Sequence, residues 1–232
     1  QTSRGLGDVY KRQFIDSSNA RNALENSIKI AIVVTIISVI LGTMSALALE
    51  RFTFKGKRVF DALLYLPIII PDVTMAVMLL LFFGEFFEIL DNLFGIQLRK
   101  GFWSISISHI AFNISFVSVV VRARLAGMST DLEEAAVDLY ASRWKAFRHV
   151  TFPQILPGIA GGALLAMTLS LDDVVITQFV AGPGWTTLPV YVFGLIRKGV
   201  TPLINSISVI MLVSSMLLVG LSLLAERTRR GG

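Results

Sequence analysis

The chain has 232 residues, of which 54% are hydrophobic and only 16% charged, and its formal net charge is +5. Soluble domains carry about 25% charged residues, so this composition excludes a disordered chain and argues against a water-soluble globule. Cysteine is absent and only two histidines occur, which excludes disulfides, thiolate metal sites and a cysteine nucleophile. We expect neither a cofactor nor a bound metal.

Long apolar runs dominate the chain, and about 20 apolar residues are enough to cross a bilayer as a helix. Five runs stand out, at residues 30–49, 60–83, 102–121, about 157–180 and 204–224. They are too long and too continuous for the strands of a membrane β-barrel. The sequence therefore predicts an all-α membrane protein with five spans, in a single transmembrane domain over residues 14–226.

The first residues do not fit this pattern. Residues 1–13 are polar and match nothing further along the chain, and residues 1–29 contain no apolar signal-peptide segment. Residues 1–13 resemble a translated adaptor sequence from the edge of a gene fragment. We therefore expect a non-native N-terminus and one further natural span before Phe14. The alternative is a genuine extracellular tail.

Basic residues are divided unevenly between the two ends of the predicted spans. Outside residues 1–13, twelve Lys and Arg fall on one side and six on the other. The positive-inside rule places the richer side in the cytoplasm, namely the loop near residue 55, the 122–153 loop and the basic tail 227–232. Trp103 and Trp185 fall near the opposite interface. The positive charge thus reflects topology, and no nucleic-acid binding is expected.

The 122–153 loop carries helix signals of its own. Thr130 and Glu133 form a T-x-x-E capping box, which marks a helix start. Helical spacing then separates an apolar face from an acidic one: Leu132, Ala135, Ala136 and Leu139 against Glu133, Glu134 and Asp138. Ser142 can cap a second short helix, which we expect to end at Pro153. The apolar face requires a partner, since the acids disfavour an anionic lipid surface.

This loop resembles the EAA loop of permease subunits of ABC importers. The similarity rests on Glu134-Ala135-Ala136, on the spacing to position 140, and on Val150-Thr151-Phe152-Pro153. The wider sequence resembles the permease subunits of spermidine/putrescine importers over about residues 20–225, most clearly at 50–82, 101–112, 132–191 and 197–208. The resemblance implies the transmembrane domain of a type I ABC importer, with five of six spans present, in a bacterial inner membrane.

The same resemblance implies the partners and the role of the loop. A non-catalytic permease of this kind works with two ATPase subunits, a second permease subunit and a periplasmic or lipid-anchored substrate-binding protein, surrounded by membrane lipid. Its loop docks in a cleft of the ATPase. The residues that this assigns to ATPase coupling are Glu133, Glu134, Ala135, Ala136, Asp138, Tyr140 and Pro153.

Tyr140 departs from the family pattern, which has glycine at this position. Glycine makes a left-handed turn between two short helices at little cost. A tyrosine in that conformation costs about 1–2 kcal/mol. Either the turn differs in this chain or the site tolerates the strain.

Three acids fall within the predicted spans, where ionisable residues are expensive and mark function by default. Asp72, Asp172 and Asp173 would lower the cost of passing a cationic substrate through a low dielectric. Ser108 and Ser115 share one face of the third span and extend this predicted substrate path. Structural roles are the alternatives: Asp72 capping a helix restarted after Pro71, Asp173 bonding between helices, and the serines packing helices.

The sequence indicates a polyamine permease, with two alternatives. One is an ABC permease for another small solute, including compact metal cations. The other is an ion-coupled secondary carrier, although the chain shows no internal repeat and few spans for one. His109, which has apolar neighbours, is predicted to be a buried histidine with its hydrogen bonds satisfied.

Overall fold

The computed structural model of the protein describes residues 18–129 and 131–197, together with Val213 and Met216. Every regular element in these ranges is helical. The helices are α1 (Ser18–Arg51), α2 (Lys57–Ile69), α3 (Asp72–Phe94), α4 (Phe102–Ala126), α5 (Asp131–Asp138), α6 (Arg143–Ala146), a π-helical turn (Phe147–Thr151), α7 (Phe152–Asp172), α8 (Val175–Val180) and α9 (Leu188–Arg197).

Contacts divide the chain into two compact units. One is Asn26–Thr186, which contains all the sites described below. The other combines Gln1–Glu25 with Thr187–Gly232, and its described part includes the start of α1 and helix α9.

Four of the described helices are long and apolar enough to cross a membrane: Ser18–Arg51, Asp72–Phe94, Phe102–Ala126 and the continuous helical stretch Arg143–Asp172. The all-α prediction is thereby confirmed, and the runs 30–49 and 102–121 lie inside α1 and α4. The predicted run 204–224, residues 1–13 and the tail 227–232 lie outside the described residues.

Two predicted spans have the wrong limits. The run 60–83 is broken at Ile70 and Pro71, because proline lacks an N–H and drives the residue before it into an extended conformation. The membrane-length helix is α3 instead. The run 157–180 is broken after Asp172, where the Asp173 side chain accepts hydrogen bonds from backbone amides and so competes with the helix.

The helices pack most closely around Val117 in the middle of α4. A Cβ added to Gly42 of α1 would lie 2.7 Å from the Val117 Cβ, and one added to Gly162 of α7 would lie 3.2 Å from its Cγ1. A side chain at Gly42 would clash with Val117, and one at Gly162 would displace it by a few tenths of an ångström, so both positions favour glycine. Of the three glycines that the sequence predicts to permit close contact, Gly158 and Gly162 do so against Arg124 and Val117.

These contacts also set the direction of each helix. Gly158 lies beside Arg124 while Ser170 lies beside His109, so α7 runs antiparallel to α4. The opposite ends of the bundle are called the Trp end, which carries Trp103 and Trp185, and the loop end, which carries residues 127–146. At the Trp end, the Asn26 side-chain amide donates hydrogen bonds to the carbonyl oxygens of Gly184 and Thr186, at 2.9 and 3.1 Å.

Candidate functional sites

The loop end carries two short helices joined by a tight turn. Helix α5 begins where the Asp131 N–H donates to the Ser129 hydroxyl, at 3.1 Å; the predicted capping residue Thr130 lies outside the described residues. Ser142 caps α6 as predicted, because its hydroxyl accepts a hydrogen bond from the Lys145 N–H at 3.3 Å. The prediction that Ser142 starts the second short helix is therefore confirmed.

Tyr140 adopts the left-handed conformation that the family's glycine would adopt. Its φ is +63°, and it is the only non-glycine residue with positive φ in the described part of the chain. Two backbone bonds close the turn, from the Tyr140 N–H to the Val137 carbonyl at 2.9 Å and from the Ala141 N–H to the Ala136 carbonyl at 3.0 Å. These are the two bonds of a Schellman motif. The turn is therefore preserved, and the strain is tolerated.

The second helix does not end at Pro153. It continues through the π-helical turn Phe147–Thr151 into α7, so that residues Arg143–Asp172 form one helical stretch. In the π-helical turn the Phe152 N–H donates to the Phe147 carbonyl, one residue further back than in an α-helix. This wider turn accommodates the missing N–H and the ring of Pro153, which lies in the first turn of α7.

Large side chains on α5, the turn and α6 face outward and form what we call the α5–α6 surface. Tyr140 is 99% exposed and Leu139 is 82% exposed. The other large members are Leu132, Val137 and Trp144. Ala135 and the acids Glu134 and Asp138 are exposed alongside them, while Ala136 is half-buried. A cluster of exposed apolar and acidic side chains is typical of a surface that another protein covers.

The two neighbouring glutamates of α5 differ in their surroundings. The Glu133 carboxylate lies 3.1 Å from the Arg51 guanidinium at the end of α1. Glu134 points away from the bundle and is exposed. One glutamate thus anchors α5 to a long helix, and the other belongs to the open surface.

A second cluster of charges continues from this anchor into the bundle. The Arg122 guanidinium of α4 donates to Glu50 at 2.8 Å and to Asp61 of α2 at 2.6 Å. Tyr65 lies beside it, with its ring centroid 5.9 Å from the guanidinium carbon. Since Glu50 and Arg51 are adjacent, opposite charges connect α5 to α1, α4 and α2 in turn. Sequence reasoning missed these pairs, and the one available signal was the Glu50-Arg51 pair that ends an apolar run.

The three intramembrane acids come together around one cavity of about 400 Å³, which we call the acidic cavity. Asp72 enters from the start of α3, and Asp172 and Asp173 enter from the break between α7 and α8. Aromatic and apolar side chains complete its lining, including Phe112, Phe116, Met75 and Leu169. The three acids that were predicted to lie on a substrate path therefore line one cavity, and their role in transport stays a prediction.

Asp173 takes part in a hydrogen-bond network within the fold. Its carboxylate accepts hydrogen bonds from the Thr177 N–H and hydroxyl, both at 2.7 Å, and lies 3.3 Å from the His109 Nε2. His109 is fully buried, as predicted, and its Nδ1 lies 2.9 Å from the Ser170 hydroxyl. This network ties α4, α7 and α8 together.

The other two acids are more open. Asp172 is exposed at the C-terminus of α7. Asp72 lies in the first turn of α3, where the helix dipole favours a negative charge, while Pro71 occupies the cap position. The predicted path serines, Ser108 and Ser115, are buried within the bundle and are not among the residues that line the acidic cavity. The Ser108 hydroxyl donates to the Ser104 carbonyl within α4, at 2.7 Å.

The family that matches this chain and the individual proteins that resemble it are both membrane components of transport systems. The family described as "Binding-protein-dependent transport system inner membrane component" matches residues 21–227. The spermidine/putrescine transport system permease protein PotC of Escherichia coli (strain K12) is 36% identical over 229 residues, 99% of this chain and 83% of PotC. The putrescine transport system permease protein PotI of the same strain is 41% identical over 192 residues, 82% of this chain and 67% of PotI.

Solved structures share the fold at lower identity. A bacterial ABC transporter involved in the import of the acidic polysaccharide alginate has a TM-score of 0.79 at 18% identity, covering 94% of this chain and 82% of its own. An amino acid ABC transporter with histidines has a TM-score of 0.65 at 18% identity, covering 94% and 97%. At this identity the similarity shows the fold alone.

Proposed function

Because the chain belongs to the family of binding-protein-dependent transport system inner membrane components, we propose that it is the permease subunit of an ABC importer for polyamines such as spermidine and putrescine. The observation that carries the substrate class is the acidic cavity, taken together with relatives that are named as polyamine permeases. The chain itself performs no catalysis. A separate subunit hydrolyses ATP.

The lining of the acidic cavity suits an alkylammonium group. Asp72 and Asp172 supply negative charge that is not committed to the Asp173 network, and charge interactions strengthen away from bulk water. Phe112 and Phe116 supply aromatic faces, which attract cations within about 6 Å of the ring centroid. The same carboxylates disfavour anions such as phosphate and sulfate. A polyamine alternates ammonium groups with methylene segments. Its ammonium groups suit the carboxylates and aromatic faces, and its methylene segments suit the apolar side chains.

The α5–α6 surface is the proposed contact with the ATPase subunit. Exposed Leu139, Tyr140 and Trp144 fit an apolar groove, while Glu134 and Asp138 fit basic residues at its rim. Glu133 has a different role, because its ion pair with Arg51 transmits any displacement of α5 to α1. Pro153 acts through the continuous helix that joins this surface to α7. The complete importer has two ATPases, a second permease and a substrate-binding protein.

We place the loop end in the cytoplasm and the Trp end on the outer side of the inner membrane. Arg51, Lys55, Arg58 and Arg124 cluster at the loop end, as the positive-inside rule requires of cytoplasmic loops. The alternative of a self-sufficient carrier leaves the α5–α6 surface without a partner. A permease for another solute remains the competing proposal, since the alginate transporter has the same fold.

Uptake by the reconstituted complex tests the proposal. Proteoliposomes with ATP inside are supplied with labelled spermidine and the loaded binding protein, and Asp172→Asn is compared with wild type. We expect the variant to lower uptake at least tenfold, which corresponds to about 1.4 kcal/mol of lost cation stabilisation. Asp91→Asn is the matched control, because Asp91 also lies on a long helix but outside the acidic cavity. Equal uptake by both variants removes Asp172 from the path, and wild-type complexes that ignore polyamines refute the substrate class.

A further inference from the structure

A larger cavity, of about 850 Å³, opens at the Trp end and has no role in the proposed transport cycle. We call it the basic cavity. Its walls come from α1, from the segment before α4 and from the turn that carries Trp185. The Asn26 hydrogen bonds to Gly184 and Thr186 fix that turn against α1, so the cavity is a built part of the fold.

The ionisable side chains that line this cavity are all basic. Lys29, Arg99 and Lys100 all line it, and none of its described lining residues is acidic. The N-terminus of the 25-residue helix α4 adds a partial positive charge directly behind Lys100. A polyamine would be repelled here, which separates the cavity from the acidic one. Its electrostatics suit an anion.

The position of the cavity along α1 limits what that anion can be. Lys29 immediately precedes the apolar run 30–49, while Ile32 and Val33 lie within that run and line the same cavity. The exposed Trp103 ring also lines it, and tryptophan favours the membrane interface. The cavity therefore spans the boundary between polar and apolar surroundings, where phospholipid phosphates lie.

The apolar wall continues down the bundle. Ile32 is one of a series of side chains on α1 that are each between 43% and 61% exposed: Ile28, Ile32, Ile36, Ile40 and Met44. We call this series the isoleucine stripe. Because it starts at the cavity and follows the helix towards the loop end, it offers a track for an acyl chain.

We propose that the basic cavity binds one anionic phospholipid, with its phosphate between Arg99 and Lys100 and an acyl chain along the isoleucine stripe. The positive charge selects an anionic head group. Trp103 and Trp185 lie beside the glycerol region of the lipid, and the acyl chain first contacts Ile32 and Val33. The site does not depend on the identity of the substrate.

The test uses the assembled importer in nanodiscs of phosphatidylcholine, with or without phosphatidylglycerol, read by native mass spectrometry and by the midpoint of thermal unfolding. We expect wild type to retain phosphatidylglycerol roughly tenfold more tightly than phosphatidylcholine, and Arg99→Gln with Lys100→Gln to abolish this preference. Lys55→Gln with Arg58→Gln is the matched control, since it removes two exposed charges at the opposite end and should keep the preference.

A second variant guards against misfolding. Ile32→Trp fills the apolar part of the cavity but keeps every charge, and Ile32 is 47% exposed, so the fold can accept it. We expect it to weaken phosphatidylglycerol retention as well. Wild type without a phosphatidylglycerol preference overturns the proposal. So does a double variant that keeps the preference but loses affinity for the loaded binding protein, because the cavity is then a protein-docking site. Displacement of the lipid by millimolar inorganic phosphate would also overturn it.

Discussion

The α5–α6 surface and the acidic cavity each contain two consecutive acids, and in each pair the two acids have different surroundings. At the loop end, Glu133 pairs with Arg51 while Glu134 is open to a partner. Beside the cavity, Asp173 holds the Thr177 amide while Asp172 is open. In each pair one acid is bonded within the fold and its neighbour is exposed. Adjacent identical residues therefore need not share a role.

The two regions differ in the number of interactions that hold the anchoring acid in place, which is Asp173 in one region and Glu133 in the other. Asp173 belongs to a network with a fully buried histidine and two threonine donors, whereas Glu133 has a single, partly exposed ion pair. A buried network resists change, because each donor left unpaired costs about 1–3 kcal/mol. A partly exposed ion pair contributes less than about 1 kcal/mol. The anchoring acid beside the acidic cavity is thus held more strongly than the anchoring acid of the α5–α6 surface.

The largest effect is expected at the cavity anchor. Asp173→Ala leaves the Thr177 N–H without its side-chain acceptor and removes one of the partners of the Thr177 hydroxyl and of the His109 ring, which stay 3.0 Å apart. We expect it to destabilise the complex by at least about 2 kcal/mol. Asp172→Ala is the neighbouring control and should leave stability within about 0.5 kcal/mol. Thermal unfolding of the purified complex measures both. Equal losses would erase the distinction between the two acids.

The next effect concerns the open surface. Leu139→Glu places a charge on a side chain that is 82% exposed, so we expect normal folding but at least tenfold weaker ATPase association, as for an apolar anchor residue. Leu98→Glu, on an exposed leucine before α4, is the control and should leave association unchanged. Titration of ATPase subunits onto immobilised complex gives the affinity. Unchanged binding by Leu139→Glu would place the ATPase contact elsewhere.

A smaller effect is expected at the turn. Tyr140→Gly relieves left-handed strain and should stabilise the α5–α6 region by about 1 kcal/mol, part of which the flexibility of glycine in the unfolded chain offsets. Tyr140→Ala keeps the Cβ and should give no such gain. Hydrogen exchange of the amides of α5 and α6 reads the difference. If alanine and glycine protect these amides equally, strain is absent from the turn.

The smallest effect is expected at Glu133, and it distinguishes the role of Glu133 from that of Glu134. Glu133→Gln removes the ion pair to Arg51 and should lower the amount of polyamine imported per ATP by less than about fivefold, with ATPase binding intact. Glu134→Gln should instead weaken ATPase binding. The charge exchange Arg51→Glu with Glu133→Arg should restore coupling. Failure of this exchange, with a folded and ATPase-bound complex, would leave Glu133 without an anchoring role.

Local signals in the sequence predicted local structure well. The helix class, the Ser142 cap and the buried His109 follow from the chemistry of a few neighbouring residues. Each of these depends on composition or on spacing within a few helical turns, which an isolated sequence displays directly.

Errors arose where side-chain hydrogen bonds and helix geometry that hydropathy does not show decide the outcome. Pro153 normally ends a helix, but a π-helical turn whose formation depends on packing carries the helix past it. Asp173 ends α7 because its side chain finds donors in the next helix. Arg122 has its partners Glu50 and Asp61 more than 60 positions away in sequence. Periodicity carries no information about such pairs.

The helical stretch Arg143–Asp172 connects the two regions compared above, so a tilt of this stretch would move both. We take Gly162, which lies against Val117 of α4, as the pivot of such a tilt. At about 1.5 Å of rise per residue, the arm towards Arg143 is about 28 Å long and the arm towards Asp172 about 15 Å. A tilt of about 5° then moves the loop end by about 2.5 Å and the cavity wall by about 1.3 Å in the opposite direction. Because the arms are unequal, a displacement at the proposed ATPase contact would become a displacement about half as large beside the proposed substrate path.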